Sequence, residues 1–152
     1  MITNGISDIK FDDLLMVDAL ERLGLDYLYK DEINLILEQC YLQFINKGLI
    51  EHRNLYEVSL CFRILRERGF HVSTDAFELF KGKNGKFVEN FEYDIRGLME
   101  LYEASHLCIE GENILDEARI FSNHMLQKTL SFLDEKEARR VTYTLEHPHR
   151  RV

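Results

Sequence analysis

The sequence has one proline and eight glycines in 152 residues, too few breakers for a loop-rich or disordered chain. A mostly helical, soluble fold is the expectation. Cysteine is nearly as scarce: Cys40, Cys61 and Cys108 are odd in number, widely separated and free of any Cys-x-x-Cys pair. Each falls within an apolar helical pattern, so buried thiols in a reducing compartment are expected rather than disulfides. No apolar run approaches the roughly 18 residues that a membrane span requires. The opening, Met1 to Asp13, is polar and acidic and has neither a signal core nor the Arg/Ser-rich, acid-poor character of a transit peptide, which reads as cytoplasmic. Basic residues are outnumbered, 19 against 27 acidic ones for a net charge of -8. That balance argues against a general nucleic-acid binder, which needs a concentrated basic surface, and is read as acidic solubility.

What is present is apolar periodicity: 45% of the residues are hydrophobic and 30% charged. A chain of this length suits one domain, residues 1–152, able to bury roughly 70% of the surface its unfolded form exposes. Ser7 or Asp8 can cap a first helix running to about Leu23, with Phe11, Leu14, Leu15 and Leu20 inward and Asp18 to Arg22 as a weak pair on its outer face. A second begins near Asp31 and carries Ile33, Ile36, Leu37, Cys40, Tyr41 and Phe44 along one side before Gly48. Asn54 and Glu57 have capping-box spacing ahead of Leu55, Val58, Cys61, Phe62 and Leu65; Arg66 and Arg68 are then expected at the negative end of the dipole, with Gly69 as the stop. Ser73 or Thr74 caps a short helix, Asp75 to Phe80. The run Lys81 to Lys86, centred on Asn84-Gly85, reads as a surface loop in preference to a β-hairpin.

The chain is organised around Leu101 to Ala118. Tyr102 shares a stripe with Ile95, Leu98 and Met99, and Ile114, Ala118 and Phe121 restart one beyond Gly111. Gly111 is expected to stop the first helix through a positive φ and Glu112 to favour the start of the second, leaving the two antiparallel. The second continues to about Phe132. Asp134 caps a last helix with Ala138, Val141 and Leu145 inward, ended by Pro148.

The residues that could carry chemistry do not assemble into a site. Asp12-Asp13 lacks the third carboxylate that a metal grip on a diphosphate needs one helical turn on, because position 16 is Met16. As a proton-donating Asp-x-Asp-Asp the same stretch fails, since Lys10 holds the first place; a solvated helix start is the simpler reading. His147-Pro148-His149 resembles a metal clip, yet it stands beside Arg150 and Arg151 without Cys or carboxylate partners. His106 and His124 fall near apolar stripes, where hydrogen-bonded rim histidines are common. Ser105 and His106 form no dyad, because adjacent helical residues point about 100° apart. Gly82 and Gly85 with three lysines fit no phosphate-loop pattern, and an exposed turn accounts for them. No catalytic, cofactor-binding or metal-ligating residue is assigned.

Several segments, in order, resemble the N-terminal helical domain of plant terpene synthases. They are Met16 to Gly24 followed by Asp31-Glu32-Ile33, Leu60 to Phe70, Phe80 to Phe87, Asp94 to Leu98, and Leu101 to Ala118. The resemblance runs from about Leu14 to His149, and its closing part, Ala138 to His149, is most similar to the subgroup making acyclic alcohols such as linalool and nerolidol. It implies an all-α fold, an α-helical barrel of about seven or eight antiparallel helices, with incompleteness at the N-terminus left open because the leading segment, with its paired arginines and tryptophan, has no counterpart. It also implies a C-terminal class I catalytic domain as partner in cis, which in full-length relatives uses Mg2+ to ionise geranyl or farnesyl diphosphate. Neither metal motif occurs in this chain, so no cofactor is expected here and the chain alone is not expected to be an enzyme. The alternative is a stand-alone interaction module that binds a terpene synthase or another helical partner, or associates with itself. A longer parent would admit a plastid location.

Overall fold

A computed structural model describes residues 11–46, 53–88 and 94–148. They form six α-helices: α1 (Phe11–Leu23), α2 (Lys30–Ile45), α3 (Leu55–Glu67), α4 (Ile95–Ser105), α5 (Asn113–Thr129) and α6 (Glu135–Glu146). Two 3-10 segments, Asp26–Tyr29 and Thr74–Phe80, join them. Among the described residues the only β pairing is an isolated bridge, Lys81 to Phe87. The all-α expectation holds, and the elements are those the periodicity marks out. The proposed caps at Ser7 or Asp8, and Gly48, lie outside the described residues.

Local chemistry explains where the helices begin. Asn54 accepts from the Glu57 amide at 2.8 Å while Glu57 accepts from the Asn54 amide at 3.2 Å, the reciprocal box that satisfies two orphan donors. Asp134 caps α6 through the Glu137 amide at 2.8 Å, and Ser73 accepts from the Asp75 amide at 3.1 Å. Asp94 accepts from the Gly97 amide at 3.0 Å, and its carboxylate folds so closely over Gly97 that a Cβ there would stand 2.2 Å from Asp94 Oδ2. The lysine-rich loop is a closed turn, with the Gly82 amide bonded to the Lys86 carbonyl at 2.8 Å and the Val88 amide to the Phe80 carbonyl at 3.2 Å. It is a surface loop pinched by one bridge, too short for a hairpin.

α3 is the centre. Leu55 and every residue from Val58 to Leu65 are buried, and α4 lies between α3 and α5 in the heart of the packing. α4 divides its faces: Leu101 and Ala104 join the larger core with α1, α2, α3 and the start of α5, whereas Leu98 and Tyr102 join Met125, Leu126 and Val141 in a smaller one. The i, i+3 and i, i+4 spacing of these residues is what sends two stripes of one helix into two cores. Phe62 meets Phe77 edge-on at 5.0 Å and Phe44 at 6.2 Å, tying α3 to the second 3-10 segment and to α2.

Three expectations need correction. Gly111 does take φ 92°, but α4 has already ended at Ser105, so the glycine turns the chain into α5 instead of stopping α4. Cys108 consequently falls in the turn and is exposed. Cys40 and Cys61 are buried as expected, but they are joined to each other between α2 and α3, with Cα atoms 6.5 Å apart, a span a disulfide accommodates. Arg66 in the last turn of α3 and Arg68 at its C-cap stand at the helix end as expected, and each also reaches across to other elements.

Candidate functional site

Arg63 and Arg66 of α3, and Arg68 at its C-cap, make long-range polar contacts. Arg63, 1% exposed, meets Glu100 of α4 through Nε at 2.8 Å and Nη2 at 3.3 Å, Asp18 of α1 at 3.3 Å and Glu67 one turn along α3 at 3.3 Å. Burial alone would lower its pKa; the carboxylates, Glu100 foremost, outweigh that and raise it, so the guanidinium stays charged. A buried cation with partners on three helices fixes their relative placement. Arg66 donates to Glu112 at 2.8 and 2.6 Å, to the Leu107 carbonyl at 2.8 Å and to the Val72 carbonyl at 2.7 Å. That bidentate bond, followed in weight by opposing burial and then a bond from the Ile109 amide, holds the Glu112 carboxyl below its ordinary range. Arg68 pairs with Glu21 of α1 and, at 3.2 Å, with Asp26.

Above Arg63 opens a groove of about 630 Å³ between α1, α3, α4 and α6. Its floor holds Asp18 and Glu100, already engaged by Arg63. α1 supplies Arg22, bonded to Asp18 at 3.1 Å, α4 supplies Arg96, and α6 supplies Lys136, Arg139 and Arg140. Arg96 is stacked on Tyr56, Cζ 4.4 Å from the ring centroid, and donates to its hydroxyl at 2.7 Å. Burial pushes the Tyr56 phenol up against the opposing pull of Arg96, with Glu100 adding to the rise, so it stays protonated at neutral pH.

The residues weighed from sequence are dispersed. Asp12 and Asp13 sit in the first turn of α1 and Met16 is 48% exposed, so that turn presents no third carboxylate. Ser105 Oγ donates to the Tyr102 carbonyl at 2.6 Å and His106 Nδ1 lies 2.7 Å from the same oxygen, so both serve the end of α4 and neither faces the other. His124 is exposed on α5. His147 packs its ring against Tyr143 at 4.7 Å, and His149 lies outside the described residues. Lys81 turns away from the glycine loop to Glu117 at 2.9 Å and lies 5.8 Å from the Phe87 ring centroid. Among the described residues no three or more His, Cys, Asp or Glu gather as a metal ion would need, so the described residues offer Mg2+ no fitting set of ligands. No described helix is long and apolar enough to cross a membrane. Sequence reading passed over Arg63 and the basic side of α6. The clue to the first was that Leu60 and Ile64 lie off the apolar stripe, which makes α3 apolar nearly all round and obliges any charge on it to be paired.

Among the described residues the domain is helical, with interior polar groups that clamp helix to helix. The chain belongs to the terpene synthase family: the family model described as "Terpene synthase, N-terminal domain" matches residues 1–145. It is 44% identical to an (E)-nerolidol synthase of Cannabis sativa over 147 residues, covering 91% of this chain and 26% of that protein. It is 45% identical to a (+)-germacrene D synthase of Zingiber officinale over 138 residues, covering 90% and 24%. Among solved structures, limonene synthase with 2-fluorolinalyl diphosphate superimposes with a TM-score of 0.83 at 38% identity, over 91% of this chain and 26% of that one. Isoprene synthase from grey poplar leaves gives 0.80 at 38% identity with the same coverage, and another structure of it contains three Mg2+ ions and dimethylallyl-S-thiolodiphosphate. The chain thus spans about a quarter of the length of the relatives it matches.

Proposed function

We propose that this chain is a noncatalytic N-terminal domain, whose partner in cis is a C-terminal class I catalytic domain. In this reading it braces that domain and covers the mouth of its cavity, while geranyl or farnesyl diphosphate is ionised with Mg2+ on residues of the partner, toward linalool- or nerolidol-type products. The supporting observation is the turn between α1 and α2. Leu23, Leu25, Tyr27, Leu28 and Tyr29 are all exposed there, Leu23 at 70% and Tyr27 at 65%, five large apolar or aromatic side chains in seven positions. An exposed cluster of this kind marks an association surface. Without a catalytic domain the same turn is the surface for self-association. The similar identities to relatives named for nerolidol and for germacrene D fit a domain that does not itself shape the product. The compartment proposed is the cytoplasm for the chain as it stands and the plastid for a longer parent, following the chloroplastic tricyclene synthase of Antirrhinum majus.

Purified chain given Mg2+ and either diphosphate is expected to release no volatile terpene by gas chromatography, and sustained turnover would overturn the reading. A separately expressed nerolidol synthase catalytic domain is expected to bind it, and the pair Tyr27→Ser and Leu28→Asp to weaken that binding. Equal capture of the variant would remove the turn from the interface.

A further inference from the structure

Cys40 and Cys61 take no part in the function proposed above. Cys40 stands on the inner face of α2 and Cys61 on α3, 0% and 2% exposed, with Cα atoms 6.5 Å apart across a sequence separation of 21. Two sulfurs at that spacing can be joined without backbone movement. Cys108 differs on both counts, being exposed in the turn before α5 and free.

The two helices that the pair joins are held unequally. Nine of the 13 residues of α3 are buried, against four of the 16 of α2. α2 rests on Ile33 and Leu37, on Phe44 against Phe62 at 6.2 Å and on Tyr41 against Phe70 at 5.5 Å. Among the described residues its Asp31, Glu32 and Glu38 make no ion pair, whereas α3 is tied to α1 and α4 through Arg63. A helix held by one apolar face with few polar ties is the element that opens first. When α2 lifts, Cys40 goes with it and its thiol meets solvent, while Cys61 stays with the core.

We propose that Cys40 and Cys61 form a reversible redox staple: a dithiol that lets α2 open from α3 in a reducing compartment, and a disulfide that pins the two helices when glutathione disulfide is present. The oxidation balances as two thiol-disulfide exchanges. The Cys40 thiolate attacks one sulfur of glutathione disulfide and expels a glutathione thiolate, leaving a mixed disulfide on Cys40. On reclosure the Cys61 thiolate attacks Sγ of Cys40 and expels the second glutathione thiolate. Two protein thiols are oxidised, one glutathione disulfide is reduced to two thiols, and the two protons pass to the departing thiolates. A dithiol reductant reverses both steps. In a compartment that glutathione and thioredoxin keep reduced, such a disulfide forms on a rise in oxidant and is then lost. α2 begins where the exposed turn Leu23 to Tyr29 ends, so the staple governs how firmly that turn is held, whether or not it docks a catalytic domain.

The test takes the full chain reduced with dithiothreitol, removes the reductant, and equilibrates the chain with glutathione disulfide or with reduced glutathione. After alkylation in urea and digestion with trypsin, the oxidised sample is expected to contain residues 31–47 linked to residues 54–63, with Cys108 carrying glutathione. Amides of α2 should then exchange at least about tenfold more slowly than in the reduced chain, and the melting temperature should rise by roughly 6–12 °C, as closing a loop of this length implies. Dithiothreitol added to the folded, oxidised chain should reverse both changes. Cys108→Ser is expected to keep the redox dependence and Cys61→Ala to lose it. Should Cys61→Ala fail to fold, Cys108→Ser compared with itself, oxidised and reduced, gives the same decision. Cys40 and Cys61 recovered as thiols, or each carrying its own glutathione, overturns the proposal. So does a linked pair with unchanged exchange in α2, and so does one that dithiothreitol opens only in urea, which would make the link a permanent one.

Discussion

α3 and α6 are nearly the same length, 13 and 12 residues, and each opens on a side-chain cap, Asn54 or Asp134. Locally they are equivalent. Nine residues of α3 are buried against one of α6, and α3 sends Arg63 and Arg66 into bonds with α1, α4 and the turn before α5. A cap decides where a helix starts; tertiary burial decides whether its surface is consumed by the fold or left for something else. α3 has little surface left to offer beyond Tyr56, while α6 keeps Lys136, Arg139 and Arg140 outward.

The sharpest way to break this contrast is Arg63→Ala. It removes the buried cation that Asp18, Glu67 and Glu100 share, and breaking a buried charge group by removing one partner costs roughly 3–5 kcal/mol. Urea unfolding should show the loss. Arg63→Lys should recover little, because one ammonium cannot reproduce the fork that Glu100 grips at 2.8 and 3.3 Å. A loss below about 1 kcal/mol would mean that the cluster merely tolerates its arginine.

On the α6 side the corresponding change is Val141→Ala, fully buried in the smaller core with Leu98, Tyr102, Met125 and Leu126. Two methyl groups and the space they leave are worth about 2 kcal/mol. Because α6 has no second buried anchor, the effect should be concentrated there, with α6 amides exchanging faster than those of α3. Uniform acceleration would show that the two helices unfold as one unit.

These two helices also show what can be read from the chain itself. The caps at Asn54 and Asp134 were legible because they depend on residues three apart, and the inward positions of α2, α4 and α6 because burial repeats with the helix. Arg63 was not: its partners Asp18 and Glu100 lie far along the chain, and nothing in the local pattern says that they meet. The end of α4 was misplaced from Ser105 to Gly111 because a glycine permits a stop without compelling one, and the Leu107 carbonyl is instead bound by Arg66 from α3. Arg66 and Arg68 were read as partners of the helix end, which they are, but their bonds to Glu112, Glu21 and Asp26 are long-range and carry no local signal. The apolar turn at Leu23 to Tyr29 and the basic stripe of α6 were written in the sequence, but only the fold shows that neither is covered within the described residues.

Acid probes the same difference through Glu112. Its carboxyl is held low chiefly by the bonds from Arg66, whereas in the unfolded chain it titrates in the ordinary range near 4.3. The stability it contributes is therefore complete above that range and is lost as pH falls through the lowered folded value. Urea midpoints between about pH 6 and about pH 3 should fall more steeply for the unaltered chain than for Glu112→Gln, which starts lower and has less to lose. Parallel curves would show that Arg66 is held by the Val72 and Leu107 carbonyls alone.

The smallest effect is the most direct comparison. Asn54→Ala and Asp134→Ala remove the same kind of bond, each at 2.8 Å to the third amide of its helix, and each should cost about 1 kcal/mol. Where that loss appears should differ. At α3 the first turn is pinned by buried Leu55 and Val58, so Asn54→Ala lowers the midpoint of the whole transition without fraying the helix. At α6 nothing before half-buried Ala138 holds the first turn, so Asp134→Ala should open it locally, with faster exchange at Ala138 and Val141 while α3 is unchanged. If both substitutions lower protection evenly across the two helices, α6 is as deeply committed to the fold as α3, and its basic stripe is not a surface held in reserve.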